Sequence, residues 1–142
     1  MPLPRIAIAT GDPAGIGPEI ALKAVLDPGV RRLCRPLLVG DPAAVELHAR
    51  CANLSPDLRV VERIADADWN NGAVNLLDAR DGTNTRLKLG TIDAAYGRAS
   101  LASASRAIKA ALAGDVDAVV AAPQTERSIA AAGIAFDGYP SF

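Results

Sequence analysis

The residues with the clearest capacity for chemistry lie in one short run, Thr10-Gly11-Asp12-Pro13-Ala14-Gly15-Ile16-Gly17-Pro18-Glu19. Glycine lets a backbone approach a ligand closely, and a turn that opens a helix presents unbonded N–H groups suited to anions. Gly11, Asp12, Gly15 and Gly17 are therefore the candidate ligand loop, with Asp12 the acidic side chain placed to face a ligand. The run is not a P-loop, because it lacks the Gly-Lys-Ser/Thr ending. Glycines at 11, 15 and 17 do not fit the dinucleotide pattern G-x-G-x-x-G either. Spacing alone leaves two readings open, a ligand-binding turn and a tight structural turn.

Other candidates are sparse. The single histidine, His48, excludes a Ser-His-Asp set and makes a poor metal site. It falls in a predicted surface helix, where a solvated imidazole is expected. Asp66, Asp68, Asp78, Asp81 and Asp93 read as solvated acids. Cys34 and Cys51 form no CxxC pair, and both are expected to be buried free thiols. Arg31, Arg32 and Arg35 read as a solvated helix end.

Half of the 142 residues are hydrophobic but only 4% are aromatic, so the core must come from Ala, Val, Ile and Leu. With 15 basic and 16 acidic residues the net charge is −1, which carries no nucleic-acid footprint. The apolar run after Arg5 spans only Ile6 to Ala9, too short for a signal peptide or a membrane helix. A cytoplasmic protein without nucleic-acid or membrane partners is the expectation.

The positioning elements follow from pattern. RIAIAT (Arg5 to Thr10), PLLVG (Pro36 to Gly40), LRVVE (Leu58 to Glu62), AVNLL (Ala73 to Leu77) and DAVVA (Asp117 to Ala121) read as strands. Helices are predicted over 18–26, 42–52, 91–113 and 124–132. Pro18 and Pro42 sit at first helical positions, Asp41 and Thr91 at N-caps, and Gly114 and Gly133 at the ends. Residues 78–88 read as a loop. Strand–helix alternation predicts an α/β fold, a mostly parallel sheet with flanking helices, in a single domain over 1–142.

Recognition adds to spacing. GDPAGIGPE (Gly11 to Glu19) resembles the start of the PdxA family, and is similar to the GDGIGPE of isocitrate and isopropylmalate dehydrogenases. Ala121-Ala122-Pro123, Ala132-Gly133-Ile134, Phe136 and Gly138 resemble the family run T-[AG]-P-x-x-K…A-G-[IF]-x-F-x-G-H-T-E. Gly90 and Gly114 to Ala118 also look like the family. The resemblance implies an isocitrate/isopropylmalate dehydrogenase-like fold. It also implies NAD-dependent oxidation and decarboxylation of 4-phosphohydroxy-L-threonine or a related hydroxy acid. It implies a divalent metal held by three histidines and a homodimer with its site near the subunit interface. Some relatives oxidise dihydrodiol carboxylates.

The departures are specific. Family chains are more than twice as long, and their metal-ligand histidines lie beyond the equivalent of Phe142. Gly-His-Thr becomes Gly138-Tyr139-Pro140, and the lysine three places after the proline becomes Glu126, with Arg127 beside it. In the family the His-Thr pair contacts the substrate, which places Tyr139 and Pro140 at substrate-binding positions. Glu126, with Arg127 as a partial substitute for the lysine, stands where an anionic substrate is expected, the alternative being that both are helix-surface residues. The chain reads as the amino-terminal portion of a family member that binds neither NAD nor metal productively alone. The alternatives are a non-catalytic or vestigial small-molecule-binding domain, and a subunit completed by a partner chain. An uncovered sheet edge is expected to favour self-association.

Overall fold

The computed structural model describes residues 1–70, 72–82 and 86–139. Five strands, β1 (Arg5–Ala9), β2 (Arg35–Gly40), β3 (Leu58–Val61), β4 (Val74–Asp78) and β5 (Ala118–Ala121), form one sheet in the order β3-β4-β2-β1-β5. Every pairing is parallel, with Ala7 beside Leu37 on one side and Val119 on the other. Parallel neighbours need crossovers, and helices supply them. These are α1 (Gly17–Leu26), α2 (Pro28–Leu33), α3 (Pro42–Cys51), α4 (Ala94–Leu112) and α5 (Glu126–Ala131).

Alternation along each strand sends side chains to two cores. Ala7, Ala9, Leu37, Val39 and Leu77 pack on one face against Ala104, Ala107 and Ala110 of α4. Ile8, Leu38 and Leu76 pack on the other against Leu22 and Val25 of α1 and Val45 and Ala49 of α3. Alanines at the α4 contact bring the helix close to the sheet, as the scarcity of aromatic residues requires. Gly97 on α4 is needed for α5: a Cβ there would lie 2.2 Å from the Ser128 carbonyl oxygen.

Several local expectations change. Asp27-Pro28-Gly29 does not simply end α1. Asp27 Oδ1 accepts from Gly29 N at 2.6 Å and Val30 N at 3.1 Å, so Asp27 caps the additional helix α2. The N-cap of α4 is Asp93, whose Oδ1 accepts from Ala95 N at 2.7 Å, while Thr91 Oγ1 donates to Lys88 O at 2.7 Å. β1 ends at Ala9, and α5 is shorter than predicted. Cys51 is exposed at the end of α3 rather than buried. Cys34 is half-buried, and burial pushes its thiol pKa up. His48 is buried, not solvated, because it shares the inward face of α3 with Ala44, Val45 and Ala49.

Candidate functional site

The glycine run forms the crossing from the carboxyl end of β1 into α1, where ligands bind in open α/β sheets. Its conformation is held by the chain's own backbone. Asp12 N donates to Pro123 O at 3.1 Å, and Gly15 N donates to Asp12 O at 3.1 Å. Asp12 is turned inward, 2% exposed, and its Oδ1 accepts from Ala14 N at 2.8 Å. Gly11 has φ +73°, and a Cβ there would lie 2.2 Å from Pro123 O. A Cβ on Gly17 would lie 2.1 Å from Thr10 O, whereas at Gly15 the nearest atoms stand at 3.6 Å. Packing therefore accounts for Gly11 and Gly17, and Gly15 is the glycine left with space around it.

The two runs singled out in the sequence meet. Ala122 N donates to Ala9 O at 2.9 Å, and the Tyr139 hydroxyl donates to Ala122 O at 3.0 Å. Burial pushes the Tyr139 pKa up to about 12, so the phenol stays a donor at neutral pH. Phe136 stands edge-on to Tyr139, centroids 6.0 Å apart. Pro140 lies outside the described residues. Glu126 and Arg127 are exposed in the first turn of α5 and make no ion pair among the described residues. An acid at a helix start is favoured by the dipole, which suits Glu126 independently of any ligand.

Beside the turn a cleft of about 40 Å³ is lined by Thr10, Gly11, Asp41, Arg80, Tyr96 and Ala99, room for a few water molecules. Its walls come from the carboxyl ends of β1, β2 and β4 and the first turns of α4. Arg80 pairs with both Asp78 oxygens, its Nε at 3.0 and 2.9 Å. Burial pushes the Asp78 pKa up, but the side-chain and backbone hydrogen bonds from Arg80, with the Arg80 and Arg106 charges, outweigh it and hold the carboxyl below its usual value. The Tyr96 hydroxyl accepts from Lys88 N at 2.8 Å and donates to Arg86 O at 3.3 Å.

Four contributors escape a reading by motif. His48 Nε2 lies 2.8 Å from Pro13 O. Ser103 Oγ accepts from Thr10 N at 3.0 Å and donates to Val39 O at 2.7 Å, tying α4 to the start of the turn. Gln124 buries both amide atoms without a hydrogen-bond partner among the described residues, as does Ser100 its hydroxyl. Helical spacing from Val45 could have placed His48 inside; nothing in the sequence marks the other three. Among the described residues no three His, Cys, Asp or Glu side chains converge to hold a metal ion. The residues present do not fit the metal that the resemblance implies.

The model of the family described as pyridoxal phosphate biosynthetic protein PdxA matches residues 32–142. The chain belongs to the PdxA family. Within that family it is 38% identical over 136 residues to a Symbiobacterium thermophilum protein provisionally named a D-threonate 4-phosphate dehydrogenase, covering 96% of this chain and 41% of the relative. The crystal structure of a Burkholderia phymatum 4-hydroxythreonine-4-phosphate dehydrogenase superposes with TM-score 0.89 at 29% identity, covering 97% of this chain and 42% of that one. A terephthalate 1,2-cis-dihydrodiol dehydrogenase from Burkholderia xenovorans LB400 superposes with TM-score 0.74 at 36% identity, covering 97% and 38%. The chain spans about two fifths of the length of these PdxA-like relatives. No described helix is long and apolar enough to cross a membrane.

Proposed function

We propose that this chain contributes the sheet and glycine turn of a PdxA-type dehydrogenase, an enzyme that oxidises a hydroxyl of 4-phosphohydroxy-L-threonine or a related hydroxy acid. The observation that carries this reading is the meeting of the glycine turn with Ala122-Pro123 at the carboxyl edge of the sheet, through Asp12 N and Pro123 O at 3.1 Å. NAD is the hydride acceptor in this reading. The first turn of α1 offers the N–H groups of Gly17 and Glu19 with no side-chain cap, suited to one phosphate or ribose edge. The whole dinucleotide exceeds the cleft beside it, so this edge holds one part of the cofactor. A homodimer that completes the site across its interface belongs to the same proposal.

A second reading rests on Glu126. An acid replaces the family lysine here. That charge reversal favours a substrate without a phosphate, a dihydrodiol carboxylate of the kind named for the Burkholderia xenovorans neighbour. Calorimetry of the chain with NAD+, followed by each of the two substrates, separates them. Tighter binding of the phosphorylated acid supports the first reading and tighter binding of the dihydrodiol the second. Binding of none of the three leaves the vestigial domain. NADH formation by the chain alone with a divalent metal is expected to be absent, because the described residues gather no metal ligands. Sustained NADH production through repeated purification contradicts that expectation.

A further inference from the structure

We propose that His48 is the positioning residue of the glycine turn. Its Nε2 stands 2.8 Å from Pro13 O, a contact that joins α3 to the turn across 35 positions of sequence. A carbonyl only accepts, so Nε2 carries the proton, in the neutral ring as in the charged one. Within the turn, Asp12 N goes to Pro123 O, Ala14 N to Asp12 Oδ1 and Gly15 N to Asp12 O, and Ala14 O accepts from Gly90 N at 2.8 Å. Pro13 has no N–H, and its carbonyl is the turn's acceptor for the His48 side chain. Pro13 also lines the cleft beside Thr10 and Gly11. One imidazole thus ties α3 to the turn that leads into α1.

The consequence for ligand binding rests on the carboxyl-edge reading given above; the bracing of the turn does not. In the intact chain, nitrogen NMR of the single histidine is expected to show a protonated Nε2. His48→Leu is expected to speed exchange of the Ala14 and Gly15 amides about tenfold while Leu38 and Val39 in β2 keep their protection. His48→Gln, which restores an N–H donor, is expected to return the loop rates to within about threefold of the parent. NAD+ affinity should fall and recover in parallel. An Nδ1-protonated ring in the parent overturns the proposal, as do loop exchange rates unchanged by His48→Leu. Should His48→Leu fail to fold, the parent's tautomer and His48→Gln decide. Absence of NAD+ binding to the parent, with the exchange contrast intact, sinks the functional reading and leaves the bracing role standing.

Discussion

The two ends of the sheet carry different kinds of polar structure. At the amino end, buried polar groups are matched. Asn75, 2% exposed, accepts from Asp68 N at 3.0 Å and donates to Asp68 O at 2.9 Å. Arg35 donates to Trp69 O, and the Arg5 guanidinium lies 4.7 Å from the Trp69 ring centroid. At the carboxyl end the turn is tightly determined by backbone contacts, yet Gln124 and Ser100 bury polar atoms that find no partner among the described residues. Unmade buried hydrogen bonds cost about 1–3 kcal/mol each, so they concentrate where function retains them. The contrast teaches that the amino end satisfies its buried polar groups within the chain, whereas the carboxyl end leaves Gln124 and Ser100 without a partner among the described residues.

Substitutions break or sharpen this contrast. The largest effect is expected at Gly11, where alanine meets both a positive φ and the Pro123 carbonyl. Gly11→Ala should lower stability by about 2–4 kcal/mol in chemical denaturation. A variant within experimental error of the parent would show that the turn can reorganise freely. Next comes a pair of opposite sign. Asn75→Ala should lower stability by about 1–3 kcal/mol, whereas Gln124→Leu should raise it by about 1 kcal/mol because it removes unpartnered polar atoms. Equal losses at both positions would erase the difference between the two ends.

The smallest effect concerns Asp78 and Arg80. The Asp78 pKa is depressed in the folded chain, below its ordinary 3.8. Its contribution is therefore present above about pH 3.8 and is lost as pH falls through the lower folded value. The Arg80 side chain is 61% exposed, so screening limits the term to well under about 1 kcal/mol. Asp78→Asn should flatten the acid limb of the stability profile below about pH 4. An unchanged limb would mean that the pair does not contribute.

Much of this architecture was legible because strand periodicity and proline position are local signals. Asp41-Pro42 reads as a helix start and is one, with Asp41 Oδ1 accepting from Ala43 N at 2.9 Å. Asp27-Pro28 carries the same signal, but a following glycine makes it look like a stop. Sequence also shows that β5 is a strand without showing that it takes the sheet edge, where Val120 is 52% exposed. Strand order depends on long-range pairing, which no local pattern encodes. At the site, the glycine turn was visible as a motif. His48 was not, because its role depends on a carbonyl 35 residues away.

The most direct test titrates NAD+ into the nitrogen-labelled chain and maps amide shifts by NMR. The account predicts shifts confined to the carboxyl end, at residues 10–17, Asp41, 79–81 and 95–99. Shifts clustered instead around Arg31, Trp69 and Asn75 at the amino end, or no shifts at saturating NAD+, would contradict it.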